Sequence, residues 1–340
     1  MSRSASARAV TFTHTSADVP AIVDFSFEFR PGTVTLLCGA SGSGKSTVLR
    51  MLNGLVPHVD SGDLAGDVEV DGVRLAEVPL WRAGGMSGTV FQNPRTQFFT
   101  SDVTSELAFG PENAGLVPGD IDRRISAAVR LTGIEELLGR SLGKLSGGQQ
   151  QRVACGAAVV GEAGFYLFDE PSSNLSPDAI ADLRQIVTTL RAHGATIVVA
   201  EHRLYWLAGL VDDVLVLSSG QIERRLSGQQ LFALTEHERL ALGLRTLAPP
   251  VVELPAANDS AGPGVVLTDL RFGYGKHLVL DEPELHFPAG QVSVLTGPNG
   301  AGKTTLSRIL CGLAEPWAGT SITLDGRKVD ARARLAASSW

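Results

Sequence analysis

Cysteine is scarce: Cys38, Cys155 and Cys311 are the only three in 340 residues, far apart and without metal-type spacing. Neither a disulfide framework nor a thiolate metal centre is expected, and each is read as a small buried packing residue. Long apolar runs are missing as well; no uninterrupted stretch reaches the ~18 residues that a membrane-spanning helix requires. The opening residues, MSRSASARAV, lack the apolar core of a signal peptide. Positive charge is in deficit, with 29 Lys and Arg against 36 Asp and Glu, a net −7, and no long basic run. That balance argues against a dedicated nucleic-acid surface, so no nucleic-acid partner is expected. A cytosolic location fits these absences best. Core material is ordinary, at 44% hydrophobic residues, which excludes a disordered chain. The length suggests about two domains.

The segment Gly39 to Ser46 reads GASGSGKS and fits G-x-x-x-x-G-K-[ST]. Before it, Val34-Thr35-Leu36-Leu37-Cys38 reads as a buried strand; after it, Thr47 to Leu52 reads as a helix opening. Strand, glycine loop and helix are the setting a phosphate cradle needs. Gly39, Gly42 and Gly44 let the backbone curl with its N–H groups inward, alongside Ser41 and Ser43. The helix start adds free N–H groups and a positive dipole end. In such a loop Lys45 reaches the β and γ phosphates, and the Ser46 hydroxyl sits on Mg²⁺.

Along the chain, VTFTH and IVDFSFEF within Val10–Phe29 predict a hairpin broken around Asp18-Val19-Pro20. Gly66 to Leu75 alternates again, with a turn at Asp71-Gly72. Gly88 to Phe91 predicts a short strand, and Ile121 to Leu138 carries helical apolar spacing. Leu145-Ser146-Gly147-Gly148-Gln149 opens a helix running to Val160. Its small-residue start, Ser146 to Gly148, is a second potential anion site, or a plain helix cap. Phe165 to Phe168 is a buried strand ending in Asp169-Glu170. A helix follows over Pro177–Arg191, with Ser176 as N-cap. Thr196 to Ala200 is a strand ending at Glu201-His202, and two more strands flank a Ser-Ser-Gly turn. Strands alternating with helices imply parallel β-α-β units beneath an antiparallel N-terminal part.

From about Leu242 to Gly264 prolines and glycines mark a linker. The beginning then repeats: Gly297 to Thr304 reads GPNGAGKT, its Lys303 offset by 258 from Lys45, after the strand-like Val292-Ser293-Val294-Leu295. Thr320 to Val329 matches Gly66 to Leu75 in kind. No second LSGGQ and no second Asp-Glu pair follow before Trp340. A fragment, an engineered chain or a degenerate second module would read this way, with an unfinished sheet edge expected in the partial copy.

In order, the P-loop, Gln92 after a strand, Leu145 to Gln149, Asp169-Glu170 and His202 resemble the nucleotide-binding subunit of ABC transporters. The resemblance covers residues ~8 to 225, and ~265 to 340 for the start of a second copy. It implies an α/β fold: a P-loop NTPase of ABC type with a mixed sheet core, an antiparallel N-terminal β subdomain and a helical subdomain carrying LSGGQ. The implied domains are 1–235, a linker over 236–264, and a partial copy over 265–340. FQNPRTQFFTSDVTSELAFGPEN, from Phe91 to Asn113, is further similar to energy-coupling-factor transporters, importers of vitamins and of cobalt or nickel ions. Gln97 is the less usual feature there.

The resemblance implies ATP and Mg²⁺ as cofactors. It gives phosphate contacts to Gly39, Ser41, Gly42, Ser43, Gly44, Lys45, Ser46 and Thr47, and to Ser146, Gly147, Gly148 and Gln149. In the second copy the counterparts are Gly297, Asn299, Gly300, Gly302, Lys303, Thr304 and Thr305. Ser46, Gln92 and Asp169 are the implied metal ligands, and Glu170, His202 and Gln92 the catalytic groups. By chemistry alone, Asp169-Glu170 could be an ordinary acidic pair and His202 a hydrogen-bonded structural residue. The implied partners are another ATPase domain, from a copy or a separate chain, whose LSGGQ closes on the bound ATP. Coupling and substrate-binding membrane subunits complete the set, with this chain peripheral on the cytoplasmic face. A ribosome- or DNA-associated ATPase and an ATP-binding regulatory fragment are the alternatives. Two positions depart from the family: Ser176 stands where an Asp is usual, and His14 where an aromatic stacks on adenine. Phe12 is a neighbour that could replace the stack, and Tyr274 occupies that position in the second copy.

Overall fold

Alternation of apolar and polar residues near the N-terminus closes into a hairpin. The computed structural model describes residues 3–249, 262–275, 277–297 and 300–338. β1 (Ala5–His14) pairs antiparallel with β2 (Ile22–Phe29). Next come β3 (Val34–Cys38), α1 (Lys45–Leu52), the short α2 (Leu55–His58), β4 (Gly62–Val70), β5 (Val73–Arg74) and α3 (Leu80–Gly84). β6 (Gly88–Val90), α4 (Val103–Asn113), α5 (Pro118–Thr132) and α6 (Gly147–Val159) lead to β7 (Phe165–Asp169). α7 (Pro177–Ala192), β8 (Thr196–Ala200), β9 (Asp213–Ser218), β10 (Gln221–Ser227), α8 (Gly228–Phe232) and α9 (Glu236–Ala241) follow.

Two sheets build this part. β2-β1-β4-β5 is antiparallel, with β4 and β5 joined at Asp71-Gly72, both at positive φ as a tight hairpin turn requires. The second sheet has six strands in the order β10-β9-β3-β8-β7-β6, parallel except for β10. Strands covered on both faces must be apolar throughout, and every residue of β3 and β8 is buried. Alternate side chains serve different layers. Leu37, Val198, Leu215 and Leu167 pack with Phe12, Phe25, Phe29 and α1. Leu36, Val199, Val214 and Phe168 pack against Ile180, Leu183, Ile186 and Val187 of α7. Each such aliphatic side chain contributes about 1.5–3 kcal/mol on burial. A separate cluster of Val103, Leu107, Val129, Ile134, Leu137, Leu142, Leu145 and Val153 holds the helical part that carries LSGGQ.

The described residues divide into two compact units, Met1–Pro250 and Val251–Trp340. The second contains β11 (Val265–Tyr274), β12 (His277–Phe287), α10 (Lys303–Leu310), β13 (Ser321–Leu324), β14 (Arg327–Lys328) and α11 (Ala331–Ala337). Its antiparallel sheet runs β12-β11-β13-β14 around Leu267, Leu270, Ile309 and Ile322.

Several expectations are corrected. Val292–Leu295 forms no strand; Val292 is 93% and Val294 63% exposed. Its counterpart β3 is held between β8 and β9, and nothing among the described residues of the second unit supplies such neighbours. The helical spacing over Ile121–Leu138 is interrupted at Thr132, because Gly133 takes φ 60 and closes the helix in the left-handed region. α4 forms over Val103–Asn113, a stretch without clear helical spacing. Cys38 and Cys155 are buried, but Cys311 is only half-buried. Part of the 236–264 stretch is ordered with the first unit: α9 is helical, and Leu244 packs into that unit's core.

Candidate functional site

β3 ends at Cys38 and the chain turns at once, because Gly39 has φ 137 and lies against β9. A Cβ on Gly39 would stand 2.1 Å from the Leu217 carbonyl oxygen, so no other residue fits. Gly42 and Gly44 also have positive φ, at 77 and 101, and Gly44 caps α1. Lys45 is 4% exposed, folded back into the loop it closes. Its Nζ donates to the Gly39 carbonyl at 3.1 Å, to Ala40 at 2.9 Å and to Ser43 Oγ at 3.4 Å. Burial lowers its pKa, and Glu170 opposes that fall. Ser41 and Ser46 are exposed at the loop surface, Thr47 half-buried behind them.

At the end of β7 the acids meet this loop. Ser46 Oγ donates to Asp169 Oδ1 at 3.0 Å. Burial raises the Asp169 pKa, and the Ser46 hydrogen bond works against that rise. Glu170 follows at φ 42, unusual for a non-glycine residue, with its N–H donating to the Ala200 carbonyl of β8 at 2.8 Å. Its carboxylate is held from two sides: Gln92 Nε2 donates at 3.0 Å, and His202 Nε2 stands 3.1 Å away. Burial, then Lys45, lowers the His202 pKa. Burial favours the neutral imidazole, and since a carboxylate can only accept, Nε2 is the ring nitrogen placed to donate to Glu170. Lys45, Ser46, Asp169, Glu170, Gln92 and His202 thus form one connected group drawn from β3–α1, β6, β7 and β8.

LSGGQ begins α6 as a complete capping box. Ser146 Oγ accepts from the Gln149 N–H at 3.3 Å, and Gln149 Oε1 accepts from the Ser146 N–H at 2.9 Å. Gly147 and Gly148 form its first turn, and among the described residues no hydrogen bond joins this segment to the 39–46 loop. Ser176 caps α7 by accepting from the Ala179 N–H at 3.5 Å. It does an Asp's local work there without the charge. Phe12 is fully buried, edge-on to His14 at 4.7 Å between centroids, so it cannot take the place of a base-stacking ring.

The second unit repeats the loop's backbone: Gly297, Gly300 and Gly302 have φ 140, 87 and 89. Lys303 Nζ donates to the Gly297 carbonyl at 2.7 Å, Thr304 is exposed, and Thr305 lies 3.5 Å from the Tyr274 hydroxyl. Asn299 falls outside the described residues.

Two site-shaping carboxylates, Glu201 and Glu106, carry no sequence signal of their role, unlike Gln97. Buried Glu201 accepts from the N–H groups of Ser172, His202 and Arg203 and from Trp206 Nε1, knotting the loop that carries His202. Buried Glu106 accepts from the N–H groups of Phe99 and Thr100 and from the Thr100 hydroxyl. Gln97 binds the Phe91 N–H at 3.1 Å and the Thr89 carbonyl at 3.0 Å, clamping the Gln92 loop to β6.

These residues suit a magnesium nucleotide. A loop of left-handed glycines opens at a helix N-terminus, a lysine is parked on carbonyls it can leave, and a carboxylate of raised pKa accepts a hydrogen bond from the loop's serine.

Fold and site together define a P-loop ATPase with an LSGGQ helical subdomain. The chain belongs to the ABC transporter family: the family's profile matches residues 22–173 and 280–339. An ABC transporter ATP-binding protein of Treponema denticola is 34% identical over 334 residues, covering 96% of this chain and 68% of the relative. The chain spans about two thirds of the length of the first relatives it matches. cbiO1 from Clostridium perfringens, described as part of the ABC transporter complex cbiONQ, has a TM-score of 0.61 at 25% identity, over 70% of this chain and 93% of that one. The ATP-binding cassette MJ0796, a dimer bound to ADP and Pi, shares the fold: TM-score 0.57, 22% identity, 66% of this chain and 98% of that one. ATP with Mg²⁺ is the cofactor chemistry of this family. Among the described residues no helix is long and apolar enough to cross a membrane.

Proposed function

We propose that the chain is the ATP-hydrolysing subunit of a membrane importer of the energy-coupling-factor type, powering uptake of a vitamin or a metal ion. The observation that carries this is the Gln92-Asn93-Pro94-x-x-Gln97 turn. Gln97 shapes it by its two hydrogen bonds to Phe91 and Thr89, leaving Gln92 free to hold Glu170. Likeness to cbiO1, named as part of an ABC transporter complex, supports the same reading.

Lys45 swings from the Gly39 and Ala40 carbonyls onto the terminal phosphates, while the glycine loop supplies N–H donors. Ser46, Asp169 and Gln92 would hold Mg²⁺, which neutralises phosphate charge. Glu170 accepts a proton from the attacking water, and His202 and Gln92 keep its carboxylate aimed. The serine-glycine start of α6 closes on ATP held by another ATPase domain. We read the chain as one such domain over 1–235, whose core also takes in Leu244 from the segment that follows, and part of a second domain over 265–340.

Membrane subunits supply the pathway, with this chain peripheral on the cytoplasmic side. Beside the Gln92 loop, Phe99 is 76% exposed and stacks on Phe109 at 4.9 Å, an apolar surface suited to a partner. Purification of the tagged chain from detergent-solubilised membranes tests this reading. Membrane subunits with a bound small molecule should co-purify; ribosomal RNA in their place would sink the proposal.

A further inference from the structure

The loop that presents Gln92 to Glu170 is fastened at two points. One is the Gln97 clamp on β6. The other lies on the opposite side, where Arg95 Nε donates to Gln150 Oε1 at 3.1 Å. Gln150 is 3% exposed and sits one residue past LSGGQ in α6. Its own amide donates to the Leu142 carbonyl at 3.0 Å, so its oxygen is aimed rather than free to rotate. Arg95 is in turn fixed to its loop, because its N–H donates to Asn93 Oδ1 at 3.1 Å. Among the described residues this is the one side-chain hydrogen bond between residues 91–97 and α6, and no carboxylate lies within ion-pair distance of Arg95. Beside it lies a cavity of about 360 Å³ lined by Gln92 and Arg95 of the loop, Gln150 and Gln151 of α6, and Asn174. Gln151 Nε2 is buried there without a hydrogen-bond partner. The two elements pack against each other around the 94–96 turn, and Arg95–Gln150 is the side-chain hydrogen bond that joins them.

We infer that Arg95 is a positioning residue that ties the LSGGQ helix to the Gln92 loop. A displacement of α6 pulls on Arg95, shifts the 92–95 turn, and changes the hydrogen bond by which Gln92 holds Glu170. The link makes the aim of the proposed base depend on where the LSGGQ helix stands. Only its kinetic consequence rests on the ATPase reading above; the mechanical link does not.

Hydrogen–deuterium exchange on the full chain without nucleotide tests the link. Arg95→Ala should speed exchange of the amides of Thr96 and Gln97 and of Gln149 and Gln150 together, by about tenfold. That is the conversion of a charge-assisted hydrogen bond of roughly 1.5 kcal/mol. Amides of β7 should not change. Gln150→Ala should reproduce the pattern, and Arg95→Lys should recover part of the protection. Faster exchange at 96–97 with 149–150 unaltered would overturn the link. In ATP hydrolysis, Arg95→Ala should lower kcat several-fold with KM for ATP within about twofold, and should add nothing in the Gln150→Ala background. Additive losses, or an unchanged kcat, would overturn the passage to Glu170. Absence of ATP-induced protection at 39–46 in the unmodified chain would strike the ATPase reading and leave the exchange test standing.

Discussion

Glu170 is held in a backbone conformation that costs energy for a residue with a Cβ, and its carboxylate is gripped by Gln92 and His202. Such restraint suits a group that must be aimed. Glu170→Gln keeps the side chain's shape and should retain ATP binding while turnover falls by about 10²–10⁴-fold; near-normal hydrolysis by the purified variant would remove Glu170 from the role of base. His202 carries a pH signature. Its pKa is lowered from the ordinary 6.5, chiefly by burial and then by Lys45 and Arg245, against Glu170 and Glu201. As pH falls, the unfolded chain takes up the proton first, so stability present above the ordinary histidine range is lost on acidification through it. The urea midpoint should therefore drop between pH 7.5 and 5.5, and His202→Gln should flatten that slope. An equal slope in the variant would show that other groups cause it. Asp169 behaves in the opposite sense. Its raised pKa means that the folded state pays for the charged form at neutral pH, so Asp169→Asn should raise the melting temperature of the nucleotide-free protein while abolishing Mg²⁺-dependent hydrolysis.

At the scale of elements, buried carboxylates act as knots. Glu106, 5% exposed on α4, takes the backbone N–H groups of Phe99 and Thr100 out of solvent competition. Glu106→Ala leaves those donors unpaired, at about 1–3 kcal/mol each if they stay buried. The segment 97–102 should then become the first site of proteolytic cleavage; an unchanged digestion pattern would show that α4 alone orders it. None of this was legible in the sequence, because Glu106 lies in a stretch whose acidic and apolar residues gave no clear period. Gly39 to Ser46 was legible for the opposite reason. A glycine loop, its strand and its helix are contiguous, so local backbone preference and tertiary placement coincide. α5 shows an intermediate case: apolar spacing continued past Thr132, but a left-handed Gly133 ended the helix.

For the whole molecule, one LSGGQ and two glycine loops set an assembly problem. The Asp169-Glu170 pair stands beside the first loop, where Ser46 donates to Asp169, and among the described residues the LSGGQ of the same unit caps its own helix without a hydrogen bond to that loop. ATPase activity per molecule should therefore rise with protein concentration, or on adding a partner ATPase domain. A rate that stays flat down to isolated monomers would contradict pairing between domains.

Chemistry that lies contiguous in the chain was decided by the sequence alone. The phosphate loop, the strand ending in Asp169-Glu170, the LSGGQ capping box and the parallel β-α-β order all follow from neighbouring residues and short-range backbone preference. Only the tertiary structure decided what depends on partners distant in sequence. It joined Gln92 and His202 on Glu170, sealed Phe12 in the core, gave Arg95 to Gln150, and left Val292 to Leu295 outside any sheet. A strand is a statement about its neighbours: β3 is a strand because β8 and β9 bond to it, and an equally apolar run without such flanks remains coil.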